Sequence, residues 1–353
     1  MRIAIVAHGL SDGGAERVAS LVANHYAQMG HAVLFLAVYS DSKVYSLDER
    51  ITYQYVGGNY PNKLSRLLYR SRDVDRQLKH FEADIAVSFI VNESIYSTLK
   101  RTVPFIYTLR IHPGQACETL EDRITCLLAF YGAKKMIFQT PDARDFFSKS
   151  IRRKGVVIAN PLTKGLPDWK GTANCEKTIM TACRLTEQKN LPMLISAFSE
   201  FHKKYSEYSL KIYGDGELLE ELKDFSRQCG VEDAVYFPGY ARNVHEIMAN
   251  SSIFALTSDY EGLSNSMLEA LAIGIPTVCT DCPPGGAAMY IEDGISGMLV
   301  PVGDTKALTE KLCRMAEDSA LCEKMSKNSR KIREELDVDK VLSQWESVLQ
   351  EST

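Results

Sequence analysis

The chain has 353 residues, of which 45% are hydrophobic and 24% are charged, and its net charge is −4. This length exceeds that of a usual single domain, so we expect two domains in a chain that needs neither a metal nor a disulfide to complete its core. Residues 1–160 carry 21 Lys and Arg against 15 Asp and Glu, whereas the remainder carries 20 against 30. The acidic second half and the lack of a basic and aromatic platform argue against nucleic-acid binding.

Nine cysteines form an odd set without the spacing of a secreted disulfide framework, so we expect reduced thiols. Cys279 and Cys282 stand at CxxC spacing but have no second CxxC to complete a zinc site, and we interpret them as buried thiols. The apolar run at the start of the sequence is too short for a signal peptide, and no later run reaches the ~20 residues that span a bilayer. We expect a cytoplasmic protein, with peripheral contact to the inner face of the cell membrane as a further hypothesis.

The first half of the chain alternates strand and helix patterns. Residues 2–7 form a β-branched run that ends in a glycine-containing turn at 11–14, after which apolar residues recur at helical spacing over 15–29. Further strands are predicted at residues 33–38, 85–89, 105–109 and 135–138. Alternating β and α units predict a parallel sheet that is wrapped by helices.

The same alternation begins again after a polar stretch at residues 163–177, which resembles a linker or an entry loop. Here the strand pattern recurs at residues 179–182, 210–214, 235–237, 253–256 and 276–279. The sequence thus predicts an α/β protein with two Rossmann-like, doubly wound domains, 1–160 and 161–336, that face each other across a ligand cleft. A last helix at 337–353 fits either domain, and we place it on the first.

The most informative segment follows the strand that ends at Leu256. A loop with Gly262 and Ser264 opens a helix there, so several backbone N–H groups point outward together. Unpaired amides and the helix dipole both favour a phosphate at such a turn. Glu261 precedes this helix and Glu269 lies about two turns inside it. On spacing alone, an ordinary capped helix with two solvated glutamates explains the segment equally well.

The wording EGLSNSMLEAL at residues 261–271 resembles the E-x7-E signature of glycosyltransferase family four, whose members have the GT-B fold and retain anomeric configuration. The resemblance implies a role for each matching residue. Glu261 would contact the transferred sugar, Glu269 the ribose, and the backbone amides the donor pyrophosphate. These amides are those of Leu263, Ser264 and Asn265.

Further segments match the same family in the same order. Residues 183–190 resemble its G-R-L-x3-K-N motif, which implies that Arg184 and Lys189 grip the donor phosphates without a divalent metal. Two cations five residues apart after a strand are otherwise consistent with solvated surface charge. The remaining matches are loops, and the resemblance assigns them to donor binding: Gly13 and Gly14 in the first glycine loop, then Gly214, and the chain near Tyr240, which would meet the base.

Arg110 and His112 follow a predicted strand at a point where the family places a polar or basic residue that faces the donor sugar or the acceptor. His112 is therefore a catalytic candidate and Arg110 an acceptor-side candidate, although a buried or capping histidine fits equally well. The chain departs from the family pattern twice. Cys183 stands where glycine is usual. Residues 283–288 contain a glycine turn but lack the acidic residue that often follows this turn in the family, and this second difference bears on the choice of sugar.

The resemblance implies a retaining enzyme that moves a hexose or N-acetylhexosamine from a nucleoside diphosphate sugar, with UDP expected, to a glycan or lipid-linked oligosaccharide in bacterial surface polysaccharide or capsule synthesis. One alternative is a nucleotide-sugar epimerase or dehydrogenase, but the first loop lacks G-x-G-x-x-G. A non-catalytic sugar-nucleotide-binding partner of another transferase is the other alternative. No cofactor is expected, because the nucleotide sugar is a substrate.

Two basic segments of the first half are candidates for docking on an anionic bilayer, at about 1 kcal/mol per basic residue near the surface. A solvated helix face is the alternative for both segments. Their basic residues are Lys63, Arg66, Arg70 and Arg72 in the first segment, and Lys149, Arg152, Arg153 and Lys154 in the second.

Overall fold

A computed structural model describes residues 1–11, 13–58 and 63–352, with only the backbone described for residues 63–68 and 93. The chain divides into two compact units. Unit 1 comprises residues 1–161 together with 339–353, and unit 2 comprises residues 162–338. Asp12 of the predicted glycine turn lies outside the described residues.

Unit 1 is built on a seven-stranded sheet whose strand pairs are all parallel, in the order β3-β2-β1-β4-β5-β6-β7. The strands are β1 Arg2–Ala7, β2 Ala32–Ala37, β3 Thr52–Tyr55, β4 Ile85–Ser88, β5 Phe105–Leu109, β6 Lys135–Phe138 and β7 Gly155–Val157. Its helices are α1 Gly14–Gln28, α2 Lys63–His80, α3 Ile95–Lys100, α4 Pro113–Ala116, α5 Leu120–Gly132, α6 Pro141–Asp145 and α7 Lys149–Arg152, with a 3-10 turn at Asn92–Ser94. The short strands β3 and β7 were not among the predicted strands.

Unit 2 contains a six-stranded parallel sheet in the order β10-β9-β8-β11-β12-β13. The strands are β8 Glu176–Ala182, β9 Ser209–Tyr213, β10 Val235–Gly239, β11 Ser251–Leu256, β12 Thr277–Thr280 and β13 Met298–Val300. Its helices are α8 Leu191–His202, α9 Leu219–Gln228, α10 Val244–Asn250, α11 Asn265–Ile273, α12 Thr305–Glu317, α13 Ser319–Ser329 and α14 Ile332–Glu335, with a 3-10 turn at Glu187–Lys189.

The last helix, α15 Val338–Gln350, contributes its apolar face to the core of unit 1. Trp345 is fully buried, stacks on Phe89 with ring centroids 5.8 Å apart, and accepts a 3.2 Å hydrogen bond on its carbonyl oxygen from the hydroxyl of Tyr26. Burial raises the pKa of Tyr26 well above its usual range. The first unit therefore takes part of its core from the end of the chain.

The predicted linker at residues 163–177 is partly folded onto unit 2. Trp169 in its middle is buried, its indole Nε1 donates to the carbonyl of Ser251 at 2.8 Å, and its backbone N–H donates to Ile273. All nine cysteines are free thiols. Among the described residues, no helix is both long and apolar enough to cross a bilayer.

Candidate active site

The candidate donor residues of unit 2 follow strands that are neighbours in one parallel sheet. Strands β8, β9 and β11 lie side by side, and the loops that follow them begin at residues 183, 214 and 257. Because the carboxyl ends of parallel strands meet at one edge of a sheet, these loops meet there too. The edge thus collects Arg184, Lys189, Gly214 and Glu261.

Lys189 and Glu261 form a direct ion pair at this edge. Their side chains are only 11% and 13% exposed, and the carboxylate also accepts a 2.7 Å hydrogen bond from the Ser258 hydroxyl. Gln188 contributes its amide, which donates to the carbonyl of Tyr260 at 2.8 Å and to Glu261 at 3.4 Å. The pair therefore lies in a network of hydrogen bonds that holds the carboxylate in one place.

The backbone around Lys189 is fastened to the loop after β11. Thr257 donates its hydroxyl to the carbonyl of Lys189 at 2.9 Å, and the N–H of Asp259 donates to the carbonyl of Gln188 at 2.9 Å. Asn190 caps α8 in the left-handed conformation, and its amide donates to the Asp259 carboxylate at 2.7 Å. Within the motif, Asn190 therefore has a structural role, whereas Lys189 provides the charge.

Arg184 lies in the same segment after β8 as Lys189 but is exposed, and no hydrogen bond or ion pair joins its side chain to the described residues. The pKa of the Cys183 thiol depends on burial and on the charges around it. Burial raises the pKa of this thiol to about 11, while the charges of Lys189 and Arg184 act in the opposite direction. The two predicted phosphate-binding cations thus follow the same strand, β8, and Arg184 is the one that is open to solvent.

A glycine is required at position 214, because the chain there passes very close to the backbone of Cys183. It has a φ of +123°, and a Cβ placed on it would lie 1.9 Å from the carbonyl oxygen of Cys183. The N–H of Cys183 donates to Tyr213 and that of Leu185 donates to Asp215, so the two loops run together. Cys183 stands where glycine was expected, and its half-buried thiol accepts a weak hydrogen bond from the Thr181 hydroxyl at 4.0 Å.

Helix α11 begins at Asn265, after the predicted glycine and serine turn that follows Glu261. Ser264 is the N-cap, and its hydroxyl accepts from the N–H of Met267 at 3.4 Å. The backbone amides of Leu263, Ser264 and Asn265 lie at this helix start, the positive end of the helix dipole. The capped-helix alternative is thus correct for Ser264 and does not conflict with anion binding at the same turn.

Glu269 lies inside α11 and is buried, not solvated. Its Oε1 accepts a 2.9 Å hydrogen bond from the Thr163 hydroxyl, and its Oε2 lies 3.0 Å from Nε2 of His245 on α10. The sequence interpretation missed both partners, because Thr163 lies in the predicted linker and His245 belongs to no recognised motif. Tyr240, at the end of β10, is exposed.

In unit 1 the glycine loop after β1 contains the N-terminus of α1. Gly13 is the N-cap residue and Gly14 the first helical residue, and a Cβ on Gly13 would lie 2.0 Å from Oε2 of Glu16. His8 lies 3.9 Å from the other oxygen of Glu16 and stacks on Tyr39 with ring centroids 4.7 Å apart. His8 and Glu16 are polar groups beside the loop that the sequence analysis did not select.

His112 takes the capping role that was its alternative: its Nδ1 accepts from the N–H of Gly114 at 3.1 Å, and burial lowers its pKa. Arg110 donates through Nη2 to Oδ1 of Asn160, which also accepts from Gln139 at 2.9 Å. The buried Nε and Nη1 of Arg110 have no hydrogen-bond partner among the described residues, and burial lowers its pKa to about 9.

The structure corrects part of the predicted basic surface. Arg70 is buried, with its guanidinium carbon 4.5 Å from the centroid of the Tyr39 ring, so it is not part of an outward-facing cluster. Lys154 is half-buried and donates to the carbonyls of Tyr131 and Ala133 at 2.7 and 2.8 Å. The side chains of Lys63 and Arg66 lie outside the described residues, whereas the others are exposed: Arg72, Lys149, Arg152 and Arg153.

No group of three or more His, Cys, Asp or Glu residues in the described part of the chain is arranged to hold a metal ion.

Three comparisons relate this geometry to known proteins. Residues 169–332 match the family model described as glycosyl transferases group 1. The chain is 26% identical over 348 residues to an uncharacterized glycosyltransferase of Haemophilus influenzae, covering 96% of this chain and 97% of the relative. It is 22% identical to the amylovoran biosynthesis glycosyltransferase AmsD of Erwinia amylovora, covering 99% of each chain.

A solved structure supports the fold. The crystal structure of HepE from Anabaena in complex with UDP-glucose matches with a TM-score of 0.83 and 19% identity, covering 99% of this chain and 100% of that chain. This match confirms the predicted GT-B fold class with two Rossmann-like, parallel-sheet domains. The family model and the full-length relatives favour neither an epimerase nor a dehydrogenase. The chain is therefore a glycosyltransferase, with a glycosyl transferases group 1 domain at residues 169–332.

Proposed function

We propose that the chain is a retaining transferase that moves a hexose or N-acetylhexosamine from a UDP-sugar to a glycan or lipid-linked oligosaccharide in surface polysaccharide assembly. The observation that supports this most is the ion pair of Lys189 and Glu261, which joins the segment that carries Arg184 to the turn before α11. Two similar proteins agree with it, since HepE was crystallised with UDP-glucose and AmsD is named for amylovoran biosynthesis.

The leaving group of this reaction is UDP, whose diphosphate gains negative charge as the bond to the sugar C1 breaks. Lys189 has three N–H donors, and Glu261 occupies only part of that capacity, so a phosphate oxygen has a donor available. Arg184 supplies a second, solvent-facing cation, and the first amides of α11 supply a third positive region. Together they take the role that a divalent metal has in other transferases.

Retention follows when the acceptor hydroxyl attacks C1 on the face from which UDP leaves. The new bond joins the acceptor oxygen to C1, the bond from C1 to the phosphate oxygen breaks, and the hydroxyl proton passes to the departing diphosphate. Glu261 is positioned by Ser258 and Lys189 to hold the transferred sugar, while Glu269 holds the ribose. His112 and Arg110 remain the candidates of unit 1 for contacts to the sugar or acceptor.

Substitution of Lys189 tests the proposal. Lys189→Gln keeps a donor for Glu261 but removes the cation, and we expect kcat/KM to fall by about 100- to 1,000-fold, as is typical of losing one group that stabilises transition-state charge. Release of UDP from a panel of UDP-sugars, with a soluble glycan acceptor, measures this. NMR of the first-formed product shows whether the anomeric configuration is retained.

Lys211→Gln is the matched control, because Lys211 also pairs with a glutamate, Glu176 at 2.8 Å, but in a more exposed position on β9. We expect it to leave turnover within about two-fold of the unsubstituted enzyme, since exposed pairs contribute little. Equal rates for Lys189→Gln and Lys211→Gln would remove Lys189 from the mechanism, and an inverted product would exclude retention.

A further inference from the structure

Helix α5 of unit 1 is apolar on two opposite faces. Its inner face packs Cys126, Ala129 and Phe130 into the core of the unit. Its outer face carries five large apolar side chains that remain exposed. They are Leu120 at 74%, Ile124 at 51%, Leu127 at 44%, Leu128 at 45% and Tyr131 at 51% exposure.

The positions of these five residues form one continuous stripe. At about 100° of rotation per residue, they fall within a sector of about 100° that points away from the inner face. A helix that serves only as a cover for a core carries charged and polar residues in that sector. Isolated exposed leucines are ordinary, but a stripe along three turns of a helix indicates a surface that another phase or molecule covers.

A basic segment adjoins the C-terminal end of the stripe. The hydroxyl of Tyr131 lies 3.1 Å from the hydroxyl of Ser148, and Lys154 donates to the carbonyl of Tyr131 at 2.7 Å. Phe146, just before Ser148, is 56% exposed. The segment also carries three exposed cations that form no ion pair with any described residue: Lys149, Arg152 and Arg153.

The acidic groups near the stripe do not cancel this charge. Glu118, Glu121 and Asp122 lie at the N-terminal end of α5, which is the end remote from the basic segment. Residues 141–154 carry five Lys and Arg against two Asp, of which Asp145 is paired with Arg144 at 2.9 Å and Asp142 is exposed. The surface thus runs from an apolar stripe to a concentration of positive charge, with the aromatic side chains of Tyr131 and Phe146 between them.

We propose that the outer face of α5 and the adjoining basic segment dock this enzyme onto an anionic lipid bilayer. Apolar side chains along one helix face enter the boundary between headgroups and acyl chains, and flanking Lys and Arg residues contact anionic headgroups. The apolar stripe and the aromatic side chains suit the boundary with the acyl chains. The three exposed cations suit the anionic headgroups. The helix lies in the plane of the bilayer and does not cross it.

This inference extends the proposed function, because docking of unit 1 brings a lipid-linked acceptor to the enzyme. It also changes the predicted membrane contact: the basic segment at residues 149–154 is kept, and the stripe on α5, which is open, replaces the segment that contains the buried Arg70. Its test is read from binding alone, so it succeeds or fails independently of which sugar or acceptor the enzyme uses.

Vesicle co-sedimentation of the full chain tests the docking surface. The vesicles are phosphatidylcholine alone or mixed with phosphatidylglycerol, at low and high salt. We expect binding to the mixed vesicles that weakens as salt rises. Leu127→Glu/Leu128→Glu should reduce binding by about 20-fold or more, because two partly exposed leucines lose their apolar contact. Arg152→Gln/Arg153→Gln should reduce it by about 25-fold on mixed vesicles only, at about five-fold per cation.

The charge-matched control is Ile295→Glu/Val302→Glu, which adds the same two carboxylates at exposed apolar positions of unit 2. It should bind as the unsubstituted chain does. Circular dichroism melting checks that each variant is folded, and UDP release with a soluble acceptor, without vesicles, should be unchanged in Leu127→Glu/Leu128→Glu.

Three results would overturn the docking proposal. The first is an unsubstituted chain that does not sediment with mixed vesicles at low salt. The second is an equal loss of binding in the control and in Leu127→Glu/Leu128→Glu. The third is a concentration-dependent dimer in sedimentation velocity that Leu127→Glu/Leu128→Glu abolishes, because the stripe would then be the contact between two copies of the chain.

Discussion

The carboxylate of Glu269 illustrates how neighbouring side chains decide the state of a binding group. The resemblance implies that Glu269 binds the ribose, and in the structure its partners include Thr163 at 2.9 Å and His245 at 3.0 Å. These partners hold one rotamer of a buried carboxylate that would otherwise lose its hydrogen bonds. His245 is accordingly a positioning residue that acts through Glu269.

Replacement of His245 by alanine should leave the Glu269 side chain less well held. It should lower the affinity for the donor more than it slows the chemical step. We expect the KM for the UDP-sugar to rise about ten-fold while kcat stays within about two-fold, since about 1.4 kcal/mol of ground-state and transition-state binding is lost together. Steady-state kinetics with varied donor measure this. His80→Ala, at an exposed position on α2, is the control; a fall in kcat at constant KM would contradict the positioning role.

The sequence identified functional side chains only where they belonged to a recognisable motif. Arg184, Lys189 and Glu261 were selected in this way, and the structure brings the last two into contact. His112 was selected because the family places a polar or basic residue at this point after a strand, and its ring caps α4, which was the stated alternative. A histidine near a strand end has several hydrogen-bonding uses, and the local sequence does not distinguish between them.

At the scale of elements, the loops after β8 and β9 depend on one glycine. Gly214 holds a φ of +123° and its α-carbon faces the carbonyl of Cys183 so closely that a side chain has no room. Any other residue must shift the segment that carries Arg184 and Lys189. The glycine therefore links backbone geometry to the position of the predicted phosphate-binding cations.

Gly214→Ala should destabilise unit 2 by about 2 kcal/mol or more, because the backbone conformation and the contact with Cys183 are both unfavourable. Gly230→Ala is the matched control: its φ is +68°, but nothing lies within 4 Å of the added Cβ. It should cost only about 1 kcal/mol, the conformational part. Urea denaturation measures both, and equal losses would show that the close approach to Cys183 is unimportant.

Most strands were predicted from β-branched runs, whereas β3, β7 and β13 were missed. These strands have three or four residues, too few for a pattern to stand out from a loop. The polar stretch at 163–177 was interpreted as a linker, and Trp169 in it is buried. A single aromatic side chain can anchor a loop to a domain without any periodic signal.

At the scale of the whole molecule, each unit buries one of the two tryptophans of the chain. Trp345 lies in unit 1 against Phe89 and Tyr26, and Trp169 lies in unit 2 beneath the carbonyl of Ser251. The core of unit 1 thus depends on residues from both ends of the chain. Loss of the last helix should affect this unit first.

Trp345→Ala should destabilise unit 1 by about 3–5 kcal/mol, the usual cost of removing a buried tryptophan side chain. Calorimetry with and without UDP identifies the transition of unit 2, because a ligand stabilises the unit that binds it. We expect Trp345→Ala to lower the other transition only. Trp169→Ala should lower the UDP-sensitive one, and a single shared shift in both variants would contradict this assignment.

By itself, the sequence determined the alternation of strands and helices and the two α/β domains, because periodicity and turn chemistry are local. The residues of the E-x7-E and G-R-L-x3-K-N segments were selected by their resemblance to a known family and not by periodicity. Only the tertiary structure decided which side chains meet. The ion pair of Lys189 with Glu261 spans 72 residues and the contact of Tyr26 with Trp345 spans 319. Burial of Arg70 and exposure of the α5 outer face were also decided there, because accessibility depends on packing between elements that are distant along the chain.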